Sequence, residues 1–279
     1  MEKVLVTGSG GYIGKHVVEA LLDRGYEVIA VDLNNDSTDP RAKKVNASVL
    51  TDFEDPYTEL GKPDICIHMA WRNGFVHNAS THMEDFSSHF SFLKKLIDGG
   101  IPKLAVMGTM HEVGYHEGAI DENTPCKPLS LYGIAKNALR EATFRIAEGT
   151  GTKLYWLRAY YILGDDFRNH SIFSKIMQMA QEGKTTFPFT SGKNLYDFIK
   201  VDALARLIVA SVSQEKYTGV INVSTGTPRS LGDQVEAFIA EHGLSIRPEY
   251  GAFPDRAYDS PGVWGDAEKI QKILAETGN

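Results

Sequence analysis

The chain has 279 residues, 42% of them hydrophobic and 23% charged, which is too apolar for disorder, and no apolar run approaches the roughly 20 residues that span a bilayer. At about 150 residues per domain, this length allows two domains or one with a sizeable appendage. Thirty-six acidic against 29 basic residues leave a net charge of −7, which argues against nucleic acid or anionic membrane as a partner while leaving room for a local basic pocket.

Met1-Glu2-Lys3-Val4-Leu5-Val6 enters an apolar segment directly, with no charged leader or small-residue cleavage site, so a cytoplasmic location is expected. β-branched runs predict strands at Lys3–Val6, Glu27–Val31, Asp64–His68 and Lys103–Met107, with a weaker one at Val45–Leu50. Ile13, Val17, Ala20, Leu21 and Leu22 form the apolar stripe of a first helix that Gly25 would stop. A long helix is predicted from Leu131 to Glu148, then a strand from Lys153 to Arg158. Six strands alternating with helices imply a parallel sheet. Farther on, helices are expected at Ile172–Gln181, Ala203–Val212 and Leu231–His242, a strand at Val220–Val223, and a last helix through Leu274 with Asp266 as cap. The fold class expected is therefore α/β, a Rossmann-type doubly wound parallel sheet over residues 1–163. Residues 164–279 would form mainly a small α/β substrate-binding region, with segments near 196–212 returning to the sheet.

Two cysteines, Cys66 in an apolar run and Cys126 in a proline-flanked loop, cannot form a disulfide framework or a four-thiolate zinc site. Nine histidines are scattered without metal-binding spacing, so no metal is expected.

Val4-Leu5-Val6-Thr7-Gly8-Ser9-Gly10-Gly11-Tyr12-Ile13-Gly14 reads as a strand, a glycine turn and a helix start. Gly8 would permit the turn, Gly11 the approach of a pyrophosphate, and Gly14 close packing of helix on sheet. The helix N-terminus offers unpaired N–H groups to phosphate. Asp32, ending the second strand at the expected spacing, would accept the adenine-ribose hydroxyls and repel a 2′-phosphate, which favours NAD. Arg41, Lys43 and Lys44 lie close enough in sequence to leave NADP open. Asp52, with Phe53 beside it, is a candidate adenine contact.

Tyr132 and Lys136 stand at i and i+4, on one face of the predicted long helix. An ammonium beside the phenol, joined by a positively charged nicotinamide, would lower its pKa and suit it to proton exchange with a sugar hydroxyl. Thr109, at the carboxyl end of the fifth strand, would hydrogen-bond the same oxygen.

These segments resemble the extended short-chain dehydrogenase/reductases, the NAD-dependent epimerase/dehydratase family. Thr7 to Gly14 is similar to the TGxxGYIG loop, Ile67-His68-Met69-Ala70 to the HxAA strand end, Gly108 to Gly114 to the serine/threonine segment, and Ser130 to Lys136 to the YxxxK helix. Tyr196 to Asp202 resembles RDFIHVDD, and Asp266 to Ile270 the start of the last helix. The resemblance implies an NAD(P)-binding domain and a smaller region for a nucleotide-diphosphate sugar, in a homodimer. It assigns Gly8, Gly11, Tyr12, Ile13 and Gly14 to the pyrophosphate, Asp32 with Leu33 to the adenine ribose, and Asp52 and Phe53 to the adenine. Met69 and Ala70 would line the cofactor, Lys136 would hold the nicotinamide ribose, and Arg256 would bind the sugar's diphosphate or remain a surface charge. His170 and Ser171 stand where a polar substrate contact is expected. Trp71 would either stack on a sugar or base or cover the core.

Two departures narrow the reaction. Sugar 4,6-dehydratases carry Thr-Asp-Glu where this chain has Thr109-Met110-His111, which disfavours dehydration. Tyr196 replaces the arginine of the RDFI segment. His111 would act on the sugar as acid, base or hydrogen-bond donor, or simply pack in its loop. The leading expectation is an NAD(P)-dependent 4-keto reductase of a nucleotide-diphosphate 6-deoxy sugar. The rivals are a nucleotide-sugar 4-epimerase, a non-catalytic NAD(P) sensor or scaffold, and a reductase of small ketones.

Overall fold

The computed structural model describes residues 1–164, 171–255 and 260–278. Seven parallel strands form its main sheet: β1 (Lys3–Thr7), β2 (Glu27–Asp32), β3 (Lys43–Asn46), β4 (Ile65–His68), β5 (Lys103–Thr109), β6 (Lys153–Ala159) and β7 (Gly219–Val223). Their spatial order is β7-β6-β5-β4-β1-β2-β3. The order reverses at β1, and this is where open sheets of this kind leave a crevice at their carboxyl ends.

All four residues of β4 and all seven of β5 are buried, as expected of central strands covered on both faces. β3 is an edge strand and reads differently. Its Lys43 and Lys44 are exposed, and lysines at an edge discourage pairing with another chain. The apolar pair Val49 and Leu50, which suggested a strand at 45–50, instead lies in the turn after the strand and packs on the core. Pairing of Asp32 with Asn46 ends the strand before them.

The longer helices are α1 (Gly14–Asp23), α2 (Phe86–Asp98), α3 (Leu131–Ala147), α4 (Ile172–Gln181), α5 (Val201–Val212), α6 (Leu231–Glu241) and α7 (Glu268–Thr277). One face of the sheet packs on α1, α5 and α7, through Val17, Leu21, Leu204, Ile208, Ile270 and Ile273. The other packs on α2 and α3, through Phe92, Leu93, Leu96 and Leu139. Each such side chain removed from water contributes about 1.5–3 kcal/mol before the entropy of ordering is subtracted.

Later parts of the chain join this body. β7 pairs along β6 from Gly219↔Tyr155 to Val223↔Ala159, so the sheet has a seventh strand beyond the six expected from the first half. A smaller four-stranded sheet joins Arg229–Ser230, Leu195–Tyr196, Gly262–Gly265 and Gly118–Ile120. Asp197, fully buried, ties its segments together by accepting from the backbone N–H groups of Thr225, Gly226 and Gly265 and from the Thr225 hydroxyl. Ile176, Phe187, Phe189, Val235 and Phe238 make a separate apolar core around α4 and α6. Among the described residues, no helix is long and apolar enough to cross a membrane.

Candidate active site

The loop between β1 and α1 is shaped by close backbone contacts. Gly8 has φ +72°, a left-handed conformation that favours glycine. A Cβ on Gly14 would stand 2.0 Å from the Gly8 carbonyl oxygen, and one on Gly10 2.0 Å from that of Asn34. Gly10, which the motif reading passed over, is thus as constrained as Gly14. Gly11 differs, because its Cβ would meet only the Gly8 oxygen, at 3.1 Å, and the residue is exposed. The loop therefore presents bare backbone outward at the start of a helix, a cradle that fits a pyrophosphate.

Asp32 closes this cradle. One carboxylate oxygen accepts the Gly10 N–H at 3.0 Å and the other accepts the Leu33 N–H at 2.7 Å. The nearby bases are turned to other uses. Arg41 pairs with Asp39 and Asp23, and the Lys44 ammonium donates to the Asn35 carbonyl. Lys43 pairs with Ile29, three residues back along the strand and about 10 Å from its end. The residue that the sheet register places beside Asp32 is Asn46, and the N–H of the next residue, Ala47, donates to the Asp32 carbonyl. Asp52 lies farther on, exposed, its carboxylate accepting from the Ser48 N–H and the Thr51 hydroxyl, and these bonds hold it below the usual carboxylate range. Phe53 packs on the second core, and the Lys95 ammonium donates to its carbonyl.

Thr7 fixes the end of β4, its hydroxyl oxygen accepting the Met69 and Ala70 N–H groups at 3.2 and 3.4 Å. This presses Ala70 against Gly8, where a Cβ would meet the Ala70 nitrogen at 2.6 Å. Ile13 caps α1 and packs on the core, and the Tyr12 phenol lies against Gly164.

Tyr132 and Lys136 lie in the first turns of α3, which Ser130 caps by accepting the Gly133 N–H. Gly133 lets the helix meet the turn after β5, since a Cβ there would be 2.3 Å from the His111 carbonyl oxygen. Thr109, His111, Tyr132 and Lys136 are thereby gathered at the carboxyl edge of the sheet. Burial pushes the Tyr132 phenol up to about 12, and only a hydrogen bond with Thr109 opposes it. In the protein by itself Lys136 does not lower the phenol. Burial brings the lysine itself down to about 7, its ammonium donates to the Met107 carbonyl at 2.8 Å, and it lies 3.9 Å above the Trp71 ring. Trp71 is half-buried, its ring also stacking on His89 at 4.5 Å and its N–H donating to His82.

Five of the nine histidines come together in space. His68, His77, His82, His89 and His111 all stand around Tyr132, Trp71 and Lys136. His68 uses both ring nitrogens, toward Thr7 and His89, and His82 uses both, toward Trp71 and the Val76 carbonyl. Burial lowers His111 to about 4, with His77 adding to the effect, so it is neutral at pH 7 and able to donate or accept but not to serve as an imidazolium acid. Among the described residues, no group of three or more His, Cys, Asp or Glu side chains forms a metal site.

Glu112 was not singled out by the motif, yet it holds this edge together. Fully buried, it accepts from the Thr109 N–H at 2.7 Å and the Trp156 N–H at 2.9 Å, and pairs with Arg158. Its position three residues after a strand-ending threonine is the capping-box signal that would have revealed it. Ser171 caps α4, accepting the Ser174 N–H. His170 and Arg256 lie outside the described residues. Tyr196, in place of the expected arginine, packs its ring on Tyr161 at 4.4 Å.

Comparison with known proteins gives the same family. The model of the NAD dependent epimerase/dehydratase family matches residues 4–224. The chain is 42% identical over 267 residues to the dTDP-6-deoxy-L-talose 4-dehydrogenase (NAD(+)) of Aggregatibacter actinomycetemcomitans, covering 94% of this chain and 98% of that one. It is 26% identical to UDP-arabinose 4-epimerase 1 of Arabidopsis thaliana, over 97% of this chain and 74% of that one. The solved UDP-glucuronic acid 4-epimerase of Bacillus cereus, in complex with UDP-glucuronic acid and NAD, superimposes with a TM-score of 0.81 at 22% identity, over 98% and 93% of the two chains. This chain belongs to the NAD dependent epimerase/dehydratase family.

Proposed function

We propose that the protein is an NAD-dependent oxidoreductase acting at C4 of a dTDP-linked 6-deoxy sugar, interconverting a hydroxyl and a ketone. The observation that carries this reading is the 42% identity to the talose 4-dehydrogenase along nearly the whole of both chains. By contrast, UDP-arabinose 4-epimerase 1 is 26% identical and the solved UDP-glucuronic acid 4-epimerase 22%. NAD rather than NADP is supported by Asp32 at the cradle and by the engagement of Arg41 and Lys44 elsewhere.

Residues 1–163 would bind the dinucleotide and 164–279 mainly the sugar nucleotide. Gly8, Gly11, Tyr12, Ile13 and Gly14 would cradle the pyrophosphate, Asp32 and Leu33 the adenine ribose, Asp52 and Phe53 the adenine, and Met69 and Ala70 the rest of the cofactor. The dinucleotide, when bound, supplies hydride chemistry at C4. Tyr132 exchanges a proton with the O4 oxygen, and Thr109 orients that oxygen through its hydroxyl. Lys136 holds the nicotinamide ribose, and a positive charge beside the bound pair favours the phenolate. His111 donates or accepts a hydrogen bond at the sugar. Ser171, with His170 and Arg256, would meet the substrate, Arg256 at its diphosphate. We propose a cytoplasmic homodimer with neither nucleic acid nor membrane as partner.

The test supplies NAD and dTDP-6-deoxy-L-talose to the purified protein and follows reduced nicotinamide. Stoichiometric formation of NADH is expected. Tightly retained NAD with no net reduction, and a C4 epimer as product, would replace this reading with the epimerase.

A further inference from the structure

Three of the four residues from Gly8 to Gly11 are glycines, and glycine backbone has the widest conformational freedom. A cradle made of such residues binds well only where something outside it fixes its shape beforehand, because ordering it at the moment of binding costs affinity. The backbone bonds of the loop are few. The Gly8 and Ser9 N–H groups donate to the Val31 carbonyl at 2.9 and 3.5 Å, and the Gly11 N–H donates to the Gly8 carbonyl at 3.1 Å.

The turn after β2 supplies a brace. Asn35, 1% exposed, lies in this turn. Its side-chain oxygen accepts from the Ser9 hydroxyl at 2.6 Å and the Thr38 hydroxyl at 3.1 Å. Its side-chain nitrogen donates to the Val45 carbonyl and the Asn46 side-chain oxygen, both at 3.0 Å. Every hydrogen-bonding position of the amide is therefore filled, and the Val45 carbonyl, which can only accept, fixes which end of the amide faces the loop. Ser9 is fully buried, so its hydroxyl is committed to Asn35. The same turn grips the loop backbone directly. The Thr38 hydroxyl also reaches the Ser9 carbonyl and the Ser37 hydroxyl the Gly10 carbonyl, each at 3.3 Å. The Lys44 ammonium, donating to the Asn35 carbonyl at 2.9 Å, ties the turn to β3 once more.

We propose that Asn35 is a positioning residue for NAD, anchoring Ser9, and through it the Gly8 to Gly11 backbone, to β3 so that the pyrophosphate meets a loop already in shape. The inference rests on the reading of this loop as the pyrophosphate cradle and not on the identity of the sugar. Asparagine is the residue type the position needs. Aspartate would set an oxygen against the Val45 carbonyl, and leucine would leave the Ser9 hydroxyl buried without its acceptor.

The test is titration of NAD, without sugar, into Asn35→Ala, Ser9→Ala and the double variant. Asn35→Ala is expected to weaken NAD binding about 10-fold and Ser9→Ala about 3-fold or more. Because both remove the same link, the double variant should bind NAD within about 2-fold of Asn35→Ala alone. With dTDP-6-deoxy-L-talose as substrate, KM for NAD should rise by the same factors while kcat at saturating NAD stays within about 2-fold, a split that a general loss of stability does not produce. Ser9→Ala removes a single oxygen and decides the matter even where Asn35→Ala does not fold. Unchanged NAD affinity in Ser9→Ala, or losses that multiply in the double variant, would mean that Asn35 holds only its own turn and would overturn the proposal. Weakened NAD binding in Gly14→Ala with none in Asn35→Ala would overturn the brace and leave the cradle standing. A parent protein that binds no NAD would bring down the cradle reading and the brace with it.

Discussion

The glycine loop and the tyrosine pocket sit side by side at the carboxyl edge of one sheet, yet they are built in opposite ways. The loop is made of backbone within one short stretch, Thr7 to Gly14, closed by a single carboxylate from the next strand. The pocket is made of side chains from three separated segments, near 68–89, 107–112 and 130–136, held by Gly133, Glu112 and the hydrogen bonds of His77 and Asn78. A site built of backbone tolerates changes outside its glycines and the few side chains that brace them, whereas a site built of converging side chains depends on everything that keeps them dry and close.

That contrast can be broken first at Tyr132. Tyr132→Phe should lower kcat by about 10²- to 10⁴-fold and leave NAD affinity within about 2-fold, measured by turnover and by titration of NAD. Loss of NAD binding in that variant would mean that the two regions are not separable. Gly14→Ala should do the reverse. Its Cβ would drive into the Gly8 carbonyl, with a cost of about 1–3 kcal/mol as for other overpacked sites. NAD affinity should fall about 10-fold or more while the unfolding of the pocket stays cooperative with the rest. Asp32→Asn is a smaller perturbation, expected to raise the ratio of NADP to NAD turnover by about 10-fold through removal of one negative charge. An unchanged ratio would show that discrimination lies outside the cradle.

Lys136 gives a pH test of the pocket itself. Its folded value is lowered from 10.5 to about 7, so between those values the unfolded chain binds more protons than the folded one. The penalty of the buried ammonium is therefore largest at pH 7 and below, and it fades as pH rises toward 10. In the protein without NAD, Lys136→Met should raise the unfolding midpoint more at pH 7 than at pH 10, while turnover falls. Equal shifts at the two pH values would contradict a charge penalty at this site.

The unequal legibility of the two regions has the same origin. Gly8, Gly14 and Asp32 could be read because a tight turn and a ribose contact require particular residue types at fixed spacing. Gly10 escaped notice because its constraint is the Asn34 carbonyl, a neighbour that only folding supplies. Thr109, Tyr132 and Lys136 were legible from a strand end and an i, i+4 pair. Their environment was not, since five histidines spread from 68 to 111 become one cluster only when α2 and the segment after β4 fold onto α3. α2 carries Phe86, Phe90, Leu93 and Ile97 at helical spacing, but the serines and histidine among them blur its apolar face in the sequence. The lowering expected for the phenol depends on a bound nicotinamide as well as on Lys136, and spacing shows only that an ammonium is near, not that burial and the Met107 carbonyl hold it.

The most direct test of oxidation at C4 uses dTDP-6-deoxy-L-talose carrying deuterium at C4, with NAD in solution. The account predicts that deuterium appears in free NADH with one ketone formed per NADH. Deuterium retained on the sugar, with inversion at C4 and no free NADH, would contradict it.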